Sequence, residues 1–418
     1  MMWRAAEAAP SPAVATPPPA SRQPPLWLLA MVTLSGTLAM HIFIPALPVA
    51  AADLQASDSA LRATISLYIL GLALGQLIYG PVADHFGRRA TLLTGLALYT
   101  AAGLAAAFAP TAPSLILARL AQALGGCAGL VLGRAIVRDT AGPEQAARRL
   151  ALMNLMVLLG PGLAPILGGM LATTLGWRAI FGALCALGLV LVLLTWRMLP
   201  ETGQRGVNAD LASLGRNYGK LIGSRAFLGF ALGGGCATTS MYAFTASAPF
   251  IFSGQLHRPP EEVGVYLAIL IGGAWVGSAM TGRLVARMRL QRLMVGANLL
   301  SLAAACVLLG AVLLGQLSVP LAVGSMFIFT MGAGATSPLA LTQAVGVNPA
   351  VVGSAAGLFG FAQMAVGALC TSLAGFGPDP ALTAALVLVG ASIVAQLSFW
   401  LALRPIGGAP GAQAQPRA

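Results

Sequence analysis

Charged residues are scarce in this sequence. Only 8% of its 418 residues are Asp, Glu, Lys or Arg, whereas 58% are hydrophobic, and the mean hydropathy is +0.85. Soluble domains contain about a quarter charged residues, so this balance excludes a water-soluble fold. Twelve membrane-spanning helices of roughly 20 apolar residues would take about 240 residues and leave only short connections and two tails. The composition therefore predicts an all-α integral membrane protein with twelve transmembrane helices.

Cysteine and histidine are also few, and neither is arranged for chemistry. Five cysteines lie inside apolar stretches without CxxC spacing, and the three histidines lie far apart in the expected topology, so no disulfide framework, metal site or cofactor is predicted. No nucleophile stands beside a base and an acid, so the sequence does not indicate an enzyme. The cysteines are Cys127, Cys185, Cys236, Cys306 and Cys370, and the histidines are His41, His85 and His257.

The apolar runs divide the chain into five parts. Residues 1–25, rich in proline, are predicted to form a disordered cytoplasmic tail. Residues 404–418 are predicted to form a second cytoplasmic tail. Six spans fall in 26–196 and six in 226–403, separated by a polar loop over 197–225. Two bundles of six helices are the expected domains.

The net charge of +12 reflects the placement of arginines between spans, not a basic groove, so nucleic acid is not an expected partner. Nineteen basic residues fall on one side of the predicted topology and three, Arg62, Arg178 and Arg258, on the other. Cytoplasmic loops retain Lys and Arg. The asymmetry places both termini in the cytoplasm, in a multi-pass protein of the inner membrane.

A charged segment follows the second span, with Gly80, Asp84, Gly87, Arg88 and Arg89 in the pattern GPVADHFGRR. It predicts a tight turn in which Asp84 pairs with an arginine or caps a neighbouring helix. The segment resembles the signature loop of the major facilitator superfamily. The resemblance implies a fold of two pseudo-symmetric six-helix bundles, and a role for this segment as a conformational latch.

Two further stretches agree with that family. Arg119 to Gly126 in the fourth span resembles its buried-arginine motif, and a charge within hydrocarbon indicates function. Gly160, Pro161, Pro165, Gly168 and Gly169 in the fifth span resemble the motif of its antiporters. Stretches near 44–48, 76–81 and 134–139 resemble the bicyclomycin and chloramphenicol resistance branch of drug exporters.

The sequence departs from that branch in the first span, where many members carry an acidic residue as the proton-coupling group and this chain has His41. All eleven carboxylates fall in tails, loops or helix ends, so His41 and Arg119 are the evident charge-bearing groups of the membrane interior. His41 is either the proton carrier, since histidine titrates near neutral pH, or a neutral hydrogen-bonding residue. Burial and a nearby Arg119 would both weaken proton loading.

The first, fourth, seventh and tenth spans line the cavity in the family, and their polar or soft side chains are candidate substrate contacts. Such walls with few fixed charges suit neutral or zwitterionic amphiphiles and leave dications without a counter-charge. A polar residue within a span also serves plain helix packing. The candidates are Thr37, Thr238, Tyr242, Thr245 and Met331, with Asn154 on the fifth span.

The sequence thus predicts a transporter that exports small amphiphilic drugs or drug-like metabolites by alternating access, as a proton antiporter and a monomer. The expected partners are the substrate, protons and the lipid bilayer. An importer or uncoupled facilitator on the same fold remains the alternative, because the acidic coupling residue is missing. A sensor, scaffold or membrane enzyme would bring a soluble domain or a catalytic cluster, and the sequence shows neither.

Overall fold

The computed structural model describes residues 23–202, 211–285, 287–348 and 351–404, and every regular element in that part of the chain is helical. The predicted tails lie almost wholly outside the described residues. The spanning helices are α1 (Leu26–Asp53), α2 (Asp58–Phe86), α3 (Arg88–Ala107), α4 (Ala112–Asp139), α5 (Pro143–Thr174), α6 (Trp177–Met198), α7 (225–255), α8 (Pro260–Leu284), α9 (Leu290–Leu313), α10 (Val319–Gly346), α11 (Val352–Gly375) and α12 (Pro380–Leu403).

Ten of these helices, counted over the described residues, are long and apolar enough to cross a membrane. The other two are irregular. α5 carries Pro161 and Pro165 in its interior, and α7 is interrupted at Ser240 and ends in a π-helix over Phe250–Gln255. With these two, the predicted organisation in twelve spans is confirmed.

The twelve helices pack as two bundles with matching internal contacts. In the first bundle α2 and α3 pack on α4, and α1 packs on α4 and α5; in the second, α8 and α9 pack on α10, and α7 packs on α10 and α11. The bundles touch mainly where α2 meets α11 and where α5 meets α8. This repetition is the pseudo-symmetry that the sequence predicted.

Small residues set the closest approach between helices, as is usual inside membranes. A Cβ atom added to Gly126 of α4 would lie 2.9 Å from the Cα of Gly36 on α1. Only glycine at both positions allows the two backbones to come this close. The Gly125–Gly126 pair of the buried-arginine motif therefore has a packing role beside Arg119.

The two ends of the molecule are packed differently. We call the end with the α2–α3 and α6–α7 connections the basic end and the other the opposite end. At the opposite end the buried apolar residues of both bundles form one continuous cluster, which joins Ile44 and Leu61 to Phe250 and Leu388. Toward the basic end each bundle has a cluster of its own. Among the described residues, one apolar cluster thus joins the bundles at the opposite end, whereas toward the basic end the bundles meet through α2, where Leu77 packs on the cluster of the second bundle.

The connection between the bundles is more ordered than a loop. α6 ends at Met198, a short helix spans Leu211–Ile222, and α7 begins at Arg225, so the predicted loop over 197–225 is in part helical; residues 203–210 lie outside the described residues. Leu221 is buried and Tyr218 packs on the apolar cluster of the second bundle. Apolar side chains one helical turn apart explain the helix, which the sequence reading treated only as a polar segment.

Asp379 caps the last helix at the opposite end. Its Oδ1 accepts hydrogen bonds from the backbone N–H groups of Ala381 and Leu382 at 2.9 and 3.0 Å, and from the Gln255 amide at 2.9 Å. Burial raises the pKa of this carboxyl, but the three hydrogen bonds outweigh it and leave the pKa below its ordinary value.

Asp379→Ala is therefore expected to lower the stability of the protein by about 1 kcal/mol, the usual effect of losing an N-cap. Because the folded-state pKa is depressed, the charge-dependent part of this stabilisation is present above the ordinary pKa of Asp and is lost as the pH falls through the folded value. Thermal unfolding in detergent at several pH values measures both effects. Asp379→Asn keeps the cap without the titration, and an acid-dependence as large as that of the parent would contradict the assignment.

Candidate functional site

His41 lies at the boundary between the bundles. The side chain is 3% exposed, and its ring centroid lies 6.1 Å from that of Tyr242 on α7, edge to face. Nδ1 lies 2.8 Å from the carbonyl oxygen of Thr37. Because a carbonyl can only accept, Nδ1 carries a hydrogen, and Nε2 is the nitrogen that is left to take up a proton. The residue thus has a fixed donor on one side and a free basic atom on the other.

Arg119 is completely buried in an aromatic cage of the first bundle. Its guanidinium carbon lies 4.0 Å from the ring centroid of Tyr68 and 5.6 Å from those of Phe43 and Phe181. Nη1 donates to the side-chain oxygen of Gln122 at 2.7 Å, whereas Nε and Nη2 have no hydrogen-bond partner among the described residues. Aromatic faces thus replace the carboxylate that usually neutralises a buried arginine.

The structure gives His41 and Arg119 separate surroundings. α1 and α4 pack together as predicted, but in the described part of the chain His41 faces Tyr242 of the second bundle and Arg119 faces rings of its own bundle. No direct contact between the two side chains is found there.

A polar cluster where α7 meets α11 was missed by the sequence reading. Nε2 of Gln363 on α11 donates to Oγ1 of Thr238 at 2.7 Å, and Oγ1 of Thr239 donates to the Gln363 carbonyl at 2.7 Å. The hydroxyl of Ser240, where α7 is interrupted, is buried without a partner among the described residues. Interrupted helices near the membrane centre are typical of transporter binding sites. The sequence feature that indicates this cluster is a glutamine within the eleventh span, from which no candidate contacts were taken.

The other predicted contacts have mixed surroundings. The hydroxyls of Thr37 and Thr245 donate hydrogen bonds within their own helices, to the Leu34 carbonyl at 3.0 Å and the Met241 carbonyl at 2.9 Å respectively. The backbone of Met331 lies against Gly277 of α8. Asn154 belongs to α5, but its side chain lies outside the described set. Of the predicted set, Thr238 and Tyr242 have side-chain contacts with other helices. Thr238 accepts a hydrogen bond from Gln363 on α11, and the Tyr242 ring packs against His41 on α1.

The antiporter-type motif places α5 between the two bundles. A side chain at Gly160 would collide with Leu34, and one at Gly168 with the Ile42 carbonyl, so the helix lies directly on α1. On its other side the backbone of Pro165 lies against Gly264 of α8. Gly169 is buried, and Pro161 lies within the same helix. The motif is therefore a close-packing surface that joins α1 to the second bundle.

The charged latch, defined as Asp84, Arg88, Arg89, Asp139 and Glu201, ties helix ends together at the basic end. Arg88 bonds Asp84 at 2.8 Å and Asp139 at 3.0 Å, so its guanidinium connects α2 with α4. The predicted turn starts later than expected. α2 continues through Pro81 to Phe86, and Gly80 lies in this helix with open space around its Cα. The turn is confined to Gly87, because one residue with a positive φ suffices to reverse the chain.

Glu201 and Asp139 are the two members of the latch that the sequence did not predict, and Glu201 comes from the more distant segment. Its Oε1 accepts from the backbone N–H groups of Arg88 at 2.8 Å and Arg89 at 3.4 Å, and so caps the N-terminus of α3. Gly87 has a φ of +94°, and an added Cβ would lie 2.6 Å from the Glu201 carboxylate. Arg89 completes the connection by donating to the Trp196 carbonyl on α6 at 2.5 Å.

Glu201→Ala is expected to leave two N–H groups at the start of α3 without their acceptor and to lower stability by about 1 to 2 kcal/mol. Thermal unfolding in detergent measures this loss. Glu262→Ala is the matched control, because Glu262 accepts from Tyr266 within one helix at the opposite end. Equal melting temperatures for the two variants would contradict the capping role.

Two helical bundles that meet around ionisable and polar groups near the membrane centre define the fold of a secondary transporter. The chain belongs to the Major Facilitator Superfamily, whose family model matches residues 29–371. The described residues contain no cluster of His, Cys, Asp or Glu able to hold a metal ion.

Known proteins resemble the chain over most of its length. It is 29% identical to the MFS-type transporter YdgK of Bacillus subtilis, covering 90% of this chain and 94% of that one. It is also 29% identical to multidrug resistance protein D of Escherichia coli, covering 85% and 89%, and 25% identical to a bicyclomycin resistance protein homolog of Haemophilus influenzae, covering 82% and 87%.

Solved structures share the fold. A D-xylose-proton symporter matches with a TM-score of 0.72 at 14% identity, covering 90% of this chain and 96% of that one. The nucleoside transporter NupG matches with the same score and identity, covering 91% and 99%. Identities this low carry the fold and nothing about the substrate.

Proposed function

We propose that the protein exports small amphiphilic drugs or drug-like metabolites in exchange for protons. The observation that carries the proposal is the meeting of α1 and α7, where His41 of the first bundle faces Tyr242 of the second. Relatives named for resistance to several drugs and to bicyclomycin support the substrate class. Transport, not catalysis, is the activity that the family indicates.

His41 is the proton carrier in this proposal. Nδ1 is held by the Thr37 carbonyl, so protonation at Nε2 turns the residue into a cation at the boundary between the bundles. Substrate that enters beside Tyr242 changes the solvation of that cation and favours proton release. Among the described side chains no buried one is a carboxylate, so no acidic residue competes for this role there.

Alternating access follows from the unequal packing of the two ends. One apolar cluster joins the bundles at the opposite end, whereas toward the basic end each bundle has an apolar cluster of its own and the contact between them runs through α2. The arginine asymmetry assigns the basic end to the cytoplasm, with both termini there and the protein in the inner membrane. In this arrangement the site is reached from the cytoplasm, as an exporter requires for loading. The protein works as a monomer, because each chain supplies both bundles.

The charge of the site predicts substrate selectivity. With His41, threonines and aromatic rings but no buried carboxylate among the described residues, a neutral or zwitterionic amphiphile can be accommodated, whereas a dication lacks a counter-charge. We expect export of chloramphenicol and at least tenfold weaker export of a divalent cationic drug, on the order of the 1 to 3 kcal/mol lost with an unpaired charge. Strong export of the dication would contradict this site.

Export itself is tested in a bacterium that lacks its main drug exporters. Accumulation of labelled chloramphenicol is followed with and without a protonophore, against an empty vector, with the protein shown to be in the membrane. The proposal expects lowered accumulation that the protonophore restores. Unchanged accumulation in both conditions would remove chloramphenicol as a substrate.

An importer or uncoupled facilitator is the second candidate, and His41 in place of an acidic coupling residue is the observation that favours it. In the same experiment a facilitator would equilibrate the drug without any effect of the protonophore. An importer would raise accumulation above that of the empty vector.

A further inference from the structure

Arg62 is buried between the two bundles at the opposite end. It lies in the second turn of α2, and only 4% of it is exposed. Nη1 points at the carbonyl oxygen of Ala374, near the end of α11, at 3.4 Å. The guanidinium carbon lies 5.2 Å from the ring centroid of Phe250 on α7. An arginine of the first bundle is therefore enclosed by two helices of the second.

The enclosed charge is poorly compensated. Among the described residues Arg62 forms no ion pair, and its Nε is buried without a hydrogen-bond partner. Asp58, one turn earlier on the same helix, is itself exposed and makes no hydrogen bond to Arg62, so its carboxylate acts on the guanidinium only through its charge. One long bond to a carbonyl, one aromatic ring and the charge of Asp58 replace most of the water that the guanidinium would have in the open state.

Arg178 shows the alternative at the same end of the molecule. It pairs with Asp53, stacks on Trp177 and remains about half exposed, 44% for its side chain. Its solvation changes little whether the bundles are joined or apart. The two arginines thus differ in the property that matters here, which is the loss of water on closure.

The direction of the effect follows from the balance of energies. Removing an ion from water costs more free energy than a cation–π contact, one long hydrogen bond and an exposed carboxylate on the same helix return. The apolar cluster that joins the bundles at this end favours closure. Arg62 acts against it, because its guanidinium regains water only when α2 separates from α7 and α11.

We propose that Arg62 sets the balance of the transport cycle by opposing closure of the opposite end. The apolar cluster alone would hold the molecule in one state, and a transporter must populate both. The enclosed charge makes the closed state only moderately favourable, so that the end can reopen. This inference rests on the proposed alternating-access transport, and Arg62 acts on the equilibrium between states without touching the substrate site.

The test is a distance measurement across the opposite end. Spin labels at Ser59→Cys and Gly254→Cys, both exposed positions on different bundles, are measured by pulsed electron paramagnetic resonance in lipid nanodiscs without substrate. The exposed native Cys306 is replaced by Ser. The Arg62→Met change, which keeps an unbranched chain but removes the charge, is expected to lower the ratio of open to closed molecules by roughly tenfold.

Two further variants make the result specific. Arg62→Lys keeps a cation and is expected to keep an open fraction near that of the parent, and Arg178→Met is expected to leave it unchanged. A larger open fraction in Arg62→Met would identify Arg62 as a clamp, and an unchanged fraction, or the same shift in Arg178→Met, would also overturn the proposal. Should Arg62→Met not reach the membrane, Arg62→Gln carries the same comparison.

The readout is independent of the transport proposal. The distances are recorded without a drug or a proton gradient, so the expected shift can be found even if chloramphenicol export fails. Conversely, proton-driven export combined with no shift in Arg62→Met would remove the inference and leave the proposed function standing.

Discussion

His41→Asn is expected to abolish protonophore-sensitive export while leaving the protein folded in the membrane. The amide nitrogen of Asn can still donate to the Thr37 carbonyl, the bond that His41 makes through Nδ1 at 2.8 Å. Asn has no group that titrates near neutral pH. Export driven by the proton gradient should therefore fall by at least about 100-fold, the usual scale for loss of an essential proton-transfer group. The measurement is the rate of labelled drug efflux from energised cells.

His41→Asp is the informative partner of this variant. Asp restores a titrating group at the same position and is expected to retain a measurable part of the coupled export, whereas His41→Ala should behave as His41→Asn does. Full protonophore-sensitive transport in His41→Asn would show that His41 is a neutral hydrogen-bonding residue. Asp84 or Asp139 at the basic end would then be the groups to consider as carriers.

Arg119→Met is expected to inactivate transport without destabilising the fold. The guanidinium is fully buried among Tyr68, Phe43 and Phe181, and Gln122 is its one hydrogen-bonded partner within the described residues. Replacing a buried charge by an apolar side chain of similar length is often neutral or stabilising. A charge retained under these conditions indicates function. We expect export to fall by tenfold or more, the scale of a lost functional charge, with an unchanged or higher melting temperature.

Arg119→Lys separates charge from shape. An ammonium keeps the charge but cannot stack flat on Tyr68 while it donates to Gln122, so it should recover little of the activity. Full export in Arg119→Met, or a clearly lower melting temperature than the parent, would contradict a functional role and indicate a packing residue. Thermal unfolding in detergent and drug efflux, measured on the same preparations, give both readouts.

The helical spans and part of the charged latch can be predicted from local sequence patterns. Long apolar runs define the spans, and the spacing of Asp84 and Arg88, four residues apart, produces the observed salt bridge at the end of α2. His41 is a candidate functional residue because of its position in an apolar run, where titratable residues are rare and usually serve a function. These features depend on near neighbours along the chain.

Contacts between distant segments could not be obtained in the same way. Glu201 caps α3 from 113 positions further along the chain, and its sequence context marks it only as the end of a span. The cage around Arg119 brings together Phe43, Tyr68 and Phe181 from three helices. The burial of Arg62 depends on which end of the molecule is closed. Each of these three contacts depends on how the helices are placed relative to one another, and the hydrophobic periodicity of the sequence does not specify that placement.

The predicted substrate contacts cover only part of the polar residues in the spans. They were taken from the first, fourth, seventh and tenth spans, with Asn154 of the fifth, and so include Thr238 but not Gln363, whose amide donates to Thr238 from α11. The interruption of α7 at Ser240 was also missed, because the nearest glycines, Gly233 to Gly235, lie at least five residues before it. Polar residues in every span, weighed equally, would have included Gln363.

Proton-coupled export is tested most directly with the purified protein in liposomes. A lumen made acidic relative to the outside supplies protons that can leave in exchange for labelled chloramphenicol. The account predicts uptake of the drug that depends on this gradient, that a protonophore abolishes, and that His41→Asn lacks. Uptake that is indifferent to the gradient, or that requires an acidic exterior instead, would contradict it and establish a facilitator or a symporter.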